Sequence, residues 1–414
     1  MNETLLRVRE YIRFFAKWLL VGLMLGILGG LIGAAFSHAV HFVTDLRQAH
    51  VWIIWLLPLA GLVIVFLYRL RGLHPTDTNG VLVAVREHND IAFSTAPFIF
   101  ICTVISHLFG GSAGREGAAL QMGGSLGRDL AGLLRQDEKD SHIMVMTGMS
   151  AVFAALFGTP VTAAVFSMEV ISVGILHFSA LVPCLTAALT AAMLSEALHV
   201  PGEYFHLVTP DFSVSLAGNV VLVAAVLAVV SILFCFSLSA AHRLGEKKLP
   251  NPYVRIAVAG FVVATLSWAE GSYDYNGAGM HVIEAAMEGS SRPEAFALKI
   301  LFTVLTMSFG YKGGEIVPAL FIGATLGCTL GNLLGMPVGF GAAIGMLSMF
   351  CGSLNCPIST ILLGLEMFGG ANLRYFAIAA AISYVLSGNF GLYSRQKLMY
   401  SKLRPEFINR YTRS

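Results

Sequence analysis

Gly111–Gly127 reads GSAGREGAALQMGGSLG, and Lys312–Gly327 reads KGGEIVPALFIGATLG. At an offset of 200, Gly114 falls on Gly314, Ala119 on Ala319, Leu120 on Leu320, Gly123 on Gly323 and Gly127 on Gly327. A second pair follows in the same order at an offset of 197. There Ala151–Val170, ending ALFGTPVTAAVFSMEV, faces Ser348–Met367, ending GSLNCPISTILLGLEM. Gly148 matches Gly345, Met149 matches Met346, Phe153 matches Phe350, Pro160 matches Pro357 and Glu169 matches Glu366. Two blocks in one order at nearly one spacing mark an internal duplication, with halves at residues 15–205 and 215–400. Duplicated halves are a hallmark of secondary transporters and related channels, which build their site at the repeat interface. Identity alone leaves the relative orientation of the halves open.

Composition decides the solvent. Of 414 residues, 56% are hydrophobic and 12% charged, where a soluble domain carries about 25% charge. That excludes a soluble enzyme, a disordered protein and a nucleic-acid binder, and a net charge of +2 gives no general pull toward polyanions. The apolar runs are continuous: Trp18–Val43, Val51–Tyr68, Val220–Ala241, Ile256–Trp268 and Tyr375–Leu386. Continuous runs read as helices rather than as the alternating strands of a barrel. Many of the 43 glycines lie inside apolar regions, the pattern of interrupted and re-entrant helices packed at close range. The expectation is an all-α integral membrane protein. Arg7, Arg9, Arg13 and Lys17 precede an apolar run too long for a secretory signal, so the first helix is retained. Further basic clusters stand at Arg128–Arg135–Lys139, at Arg243–Lys247–Lys248 and from Arg395 to Arg413. The positive-inside rule places these clusters and both termini in the cytoplasm of a multi-pass protein of the cell inner membrane. The six cysteines show no CxxC and no histidine at metal spacing, so they read as small buried residues, with no metal site and no cofactor.

Both halves share a device: a Gly-rich, partly polar loop inside an apolar region leads straight into a helix. Glycine admits close approach of backbone to ligand. The first N–H groups of a helix are unpaired and sit at the positive end of its dipole. Such an end at mid-membrane binds an anion without a full positive charge. Glu116, in Gly114–Arg115–Glu116–Gly117, stands at one helix mouth, where an intramembrane carboxylate is costly unless protonated, paired or facing a cavity. It reads as a proton-coupled gate, competing for the anion site when charged and swinging aside when neutral. The alternative is a structural ion pair with Arg115. Glu315 occupies the equivalent loop; protonated, it donates a strong hydrogen bond to a small, hard anion, or else it caps the following helix. Glu169 and Glu366, at matched positions, read as shared architecture bonding to broken backbone. Glu196, Glu203 and Glu270 read as solvated segment ends, and His38 and His107 as packed or interfacial. Gly110–Gly114 formally fits G-x-S-x-G, so an intramembrane serine hydrolase using Ser112 is the rival from another class, needing a strand-turn-helix and a partnered histidine.

Gly111–Gly117, continuing as Ala119–Gly127, resembles the gating-glutamate motif of the CLC family of chloride channels and proton-coupled anion antiporters, and Gly158–Thr159–Pro160 through Glu169 resembles the segment that follows. The resemblance runs from about residue 20 to 400. Chloride-type members carry Gly-Ser-Gly-Ile-Pro at the first site, where this chain has Thr78–Asn79–Gly80–Val81–Leu82, and Gly-Ile-Phe-x-Pro at the second, where it has Gly314–Glu315–Ile316–Val317–Pro318. Gly391–Leu392–Tyr393–Ser394 places Tyr393 like the family's central anion-coordinating tyrosine. The lost serine, the second-loop acid and this ending together resemble the fluoride-exporting branch, whose second loop is typically Gly-Gly-Glu-Val-Thr-Pro; Val317 stands where that branch has threonine. The resemblance implies a CLC-type fold of two inverted-topology repeats, a homodimer in lipid with one anion pathway per subunit, and no cytoplasmic regulatory domain. It implies exchange of an outgoing anion, fluoride or chloride, for protons. It assigns Glu116 as the external proton gate and Glu315 as second acid. Backbone amides around Asn79, Gly80, Val81, Gly117, Ile316 and Val317 would bind the anion, with the Tyr393 hydroxyl donating to it.

Overall fold

The computed structural model describes residues 3–70, 78–86, 95–207 and 210–413. Residues 1–2, 71–77, 87–94, 208–209 and 414 lie outside the described residues, and with them the chain ends, whose cytoplasmic side is a sequence expectation. The fold is helical. The first half contains α1 (Glu3–Ala49), α2 (Leu57–Leu70), α3 (Thr78–Ala84), α4 (Thr95–Leu108), α5 (Glu116–Leu133), α6 (Glu138–Phe157), α7 (Pro160–Glu169) and α8 (Leu181–Ala197). The second contains α9 (Val214–Lys248), α10 (Pro252–Glu270), α11 (Met280–Met287), α12 (Ala295–Met307), α13 (Ile316–Leu333), α14 (Phe340–Leu354), α15 (Pro357–Phe368) and α16 (Leu373–Leu386). Among the described residues, seven helical segments are long and apolar enough to cross a membrane, and shorter apolar helices lie between them. At 47 residues, α1 is about 70 Å long, so it crosses a hydrocarbon core of about 30 Å with length to spare.

The duplicated sequence blocks become duplicated helix pairs. Where α5 crosses α6, a Cβ on Gly123 would overlap the backbone of Gly148; where α13 crosses α14, a Cβ on Gly323 would overlap Gly345. These crossings bring backbones together as small residues do inside bilayers, where lipid offers helices no hydrophobic drive to associate. Local signals set the boundaries. The Asp137 side chain accepts Asp140 N–H at the start of α6 (2.8 Å), and α6 ends on Gly158 at φ 73°. Pro160 and Pro357 each take the first position of a short helix, where a missing N–H costs nothing.

A three-stranded sheet closes one end, with β1 (Ser172–Val173) parallel to β2 (Lys397–Tyr400) and β2 antiparallel to β3 (Phe407–Tyr411). It is not legible in the sequence, because β1 is two residues long and its partner lies more than 200 positions away. The same end collects the basic clusters. Lys17 pairs with Asp140, Arg128 Nη1 donates to Ser141 Oγ (2.9 Å), and Gly22 of α1 lies against Pro183 near the start of α8, just after β1. All six cysteines are buried and unpaired.

Candidate functional site

The two Gly-rich loops meet. Gly114 N–H donates to Gly314 O (2.8 Å) and Gly314 N–H to Gly114 O (2.7 Å), an antiparallel bridge between residues that the duplication makes equivalent. One step outward, Thr306 Oγ1 accepts Ser112 N–H (3.0 Å) and Ser106 Oγ accepts Lys312 N–H (3.1 Å), again equivalent positions. Equivalent residues paired antiparallel place a local two-fold axis between the loops, so the halves are reversed relative to each other here. From this bridge α5 and α13 begin, at Glu116 and Ile316. A Cβ on Gly314 would overlap Gly117 N, so only glycine allows the two helix starts to touch.

Glu116 is 2% exposed. Its Oε2 accepts the Arg115 N–H (2.9 Å) and lies over Gly114, where a Cβ would overlap it. The carboxylate therefore covers the start of its own helix, the place where unpaired amides would otherwise face an anion. Arg115 spends its guanidinium elsewhere, on Ser37 Oγ (2.8 Å), Leu156 O (3.3 Å) and Glu203 Oε1 (3.1 Å). Its Nε stands 3.7 Å from Glu116 Oε1, beyond hydrogen-bond reach, so the ion pair with Arg115 is secondary to the backbone contact. Glu203 is thus no solvated segment end. Its side chain is 14% exposed, and burial raises its carboxyl above the ordinary range while the Arg115 charge opposes that shift. Sequence reasoning missed it because 88 residues separate the partners and no local motif marks it. Glu196, by contrast, is exposed as expected.

Two cavities flank the bridge and share no lining residue. One, of about 960 Å³, is lined by Thr78, Asn79, Gln121, Lys312, Glu315 and Tyr393 among others. The other, of about 670 Å³, is lined by Arg115, Glu116, Glu203 and Val317 among others. Gly117 and Ile316 are buried between them. Glu116 and Glu315 therefore line different cavities on the two sides of the bridge. Glu315 is the N-cap residue of α13, with no side-chain capping hydrogen bond to that helix start. Asn79 Oδ1 accepts Arg395 N–H (3.0 Å), joining the first turn of α3 to the segment carrying Tyr393. Tyr393 is 2% exposed. Gly80 is half-buried beside them, while the Val81 side chain packs against Gly124. Thr78 Oγ1, which accepts Gln121 Nε2 (3.2 Å), also borders Gly117. Further bracing comes from Arg47 and Asn276, whose side chains hold His107 O (2.8 Å) and Gly110 O (2.7 Å) at the first loop.

Glu169 and Glu366 do bond to broken backbone, and they do so reciprocally. Glu366 accepts Val161 N–H (2.9 Å) and Thr162 N–H (2.7 Å) at the start of α7, while Glu169 accepts Ile358 N–H (3.1 Å) and Ser359 N–H (2.8 Å) at the start of α15. Ser112 is fully buried between α4 and α5, and its Oγ lies 3.1 Å from Thr303 Oγ1; the strand that a nucleophile elbow requires is replaced there by a helix.

A family model described as voltage gated chloride channel matches residues 71–388. The chloride/fluoride channel protein of Pseudomonas syringae pv. tomato is 35% identical over 407 residues, covering 95% of this chain and 89% of that protein. The H(+)/Cl(-) exchange transporter ClcA of Vibrio cholerae serotype O1 is 24% identical over 327 residues, covering 72% and 69%. A solved structure described as a CLC-type fluoride/proton antiporter superposes with a TM-score of 0.88 at 31% identity, covering 92% of this chain and 98% of that one. A slow cyanobacterial Cl-/H+ antiporter superposes at 0.77 with 16% identity, covering 90% and 94%, a likeness of fold.

Proposed function

This chain belongs to the voltage gated chloride channel family, and from that premise we propose that it is an anion/proton antiporter exporting fluoride in exchange for protons. One observation carries the mechanism. The Glu116 carboxylate covers the start of α5 and lines one of two cavities that share no lining residue. Protonation removes the charge that holds it against the helix amides, and an anion takes its place. The amides of Gly117 on one side and of Ile316 and Val317 on the other then hold the anion from two opposed helix starts. Asn79, Gly80, Val81 and the Tyr393 hydroxyl receive it on the side of the larger cavity, where Glu315 supplies the second acid. A protonated carboxyl donates a short, charge-assisted bond to fluoride, the smallest and hardest halide. The exchange has a chemical logic: HF crosses membranes as a neutral acid, dissociates in the cytoplasm, and leaves an ion that must be pumped out.

The basic clusters share the end onto which the larger cavity opens, with Ser394 and His242 in its lining. The larger cavity therefore faces the cytoplasm with both termini, in the plasma membrane. The protein acts as a homodimer in lipid, each subunit built from inverted repeats at residues 15–205 and 215–400 with its own pathway. Val317, which brings no hydroxyl to the second helix start, favours chloride as the second reading. The test is efflux from proteoliposomes loaded with fluoride or chloride while pH is followed on both sides. Fast fluoride efflux with proton uptake and little chloride movement is expected. Comparable chloride efflux overturns the selectivity, and Glu116→Gln that still couples protons overturns the gate. Ser112→Ala should change neither flux.

A further inference from the structure

The end of the chain returns to the site it has just left. After α16 the backbone passes through Asn389–Tyr393, leaves along β2 and comes back along β3. Arg413 N–H then donates to Asn389 O (2.7 Å), and Arg413 O accepts Gly391 N–H (3.1 Å). Thr412, 6% exposed, donates its hydroxyl to Tyr393 O (2.6 Å), and its N–H to Gln396 O (3.0 Å). The Tyr393 carbonyl also accepts Gln396 N–H (2.9 Å). Gln396 is fully buried; its Nε2 donates to Val170 O (2.9 Å) and Leu354 O (2.8 Å), and its Oε1 accepts Asn355 Nδ2 (3.1 Å). One residue earlier, Arg395 N–H reaches Asn79 Oδ1. A tail that merely hung from the last helix would leave these groups to water. Here these bonds tie the returning tail to Asn389–Gln396, and through Gln396 and Arg395 to the backbone at Val170 and Leu354 and to Asn79.

We infer that the C-terminal hairpin is a strap that sets the anion ligands of the larger cavity, with Thr412 as the positioning residue for Tyr393. A buried hydroxyl donating to a carbonyl that already holds one N–H fixes the peptide plane from two directions. Tyr393 then reaches the anion only at the angle this clamp allows. Arg395 N–H ties Asn79 to the same strap, so ligands from the two halves, 314 positions apart, move together. The inference rests on the proposed role of Tyr393 and Asn79 as anion ligands, and its test separates the two.

Thr412→Val keeps the shape and removes the donor, and Thr412→Ser restores it. Both are reconstituted alone and with Tyr393→Phe, and fluoride efflux is measured at low and saturating internal fluoride. Loss of one buried hydrogen bond predicts efflux at low fluoride reduced about five-fold. The saturating rate should change less, Thr412→Ser should behave as wild type, and Thr412→Val should add nothing in the Tyr393→Phe background. If Thr412→Val does not yield folded protein, Thr412→Ala, which removes the same donor, is read the same way. Unchanged efflux, or an equal loss with and without Tyr393→Phe, overturns the inference. Wild-type vesicles that move no anion overturn the underlying antiporter reading instead.

Discussion

Removing the carboxylate that caps a partner helix should destabilise the fold without altering the coupled exchange, and the two caps should differ in size. Proline at the first position of α7 and α15 leaves the next two amides as the orphans of each helix start, and those are the amides each glutamate accepts. A hydrogen bond to a charged group contributes about 1.5–3 kcal/mol, while polar bonds measured within membranes average about 0.6 kcal/mol. Glu366 makes two such bonds and is partly exposed, so water can replace it. Glu366→Ala should cost about 1–2 kcal/mol. Glu169 is 5% exposed and holds two amides and the Ser359 hydroxyl (2.5 Å). With no water to take over, Glu169→Ala should cost about 3–4 kcal/mol. Unfolding from lipid-like micelles by titration with a denaturing detergent, followed by the fluorescence of the four tryptophans, measures both. Reconstituted Glu366→Ala should keep its proton-to-anion ratio. Costs in the reverse order, or both below about 0.5 kcal/mol, would refute the view that these acids hold the two halves together.

Two further predictions concern the site. Glu203→Gln removes the partner that draws Arg115 away from Glu116, so the guanidinium closes on the Glu116 carboxylate and holds it in place. The external pH that activates fluoride efflux should then fall, because a closer positive charge favours the ionised carboxylate, read from efflux against external pH. Val317→Thr adds a hydroxyl at the second helix start and should raise the ratio of fluoride to chloride efflux several-fold, measured in paired vesicle preparations; an unchanged ratio would place the origin of selectivity elsewhere in the site.

The sequence by itself determined the solvent, the helical class, the duplication and the two helix mouths. Those properties are written in composition and in identities at fixed offsets, which need no folded chain to be read. Glu116 and Glu315 were legible because glycines flank them inside apolar sequence, and Glu169 and Glu366 because they repeat. The tertiary structure alone decided the rest. It showed that Gly114 pairs with Gly314, that the two acids line different cavities, and that each capping glutamate serves the other half's helix. It also recast Glu203, a charge at the end of a segment, as the partner of Arg115, and the basic tail as a hairpin bonded back to the segment carrying Tyr393. The glycine bridge, the reciprocal caps and the Arg115–Glu203 pair join residues from 88 to 205 positions apart. A local pattern records which groups need partners; which distant group arrives to supply one depends on how the helices pack.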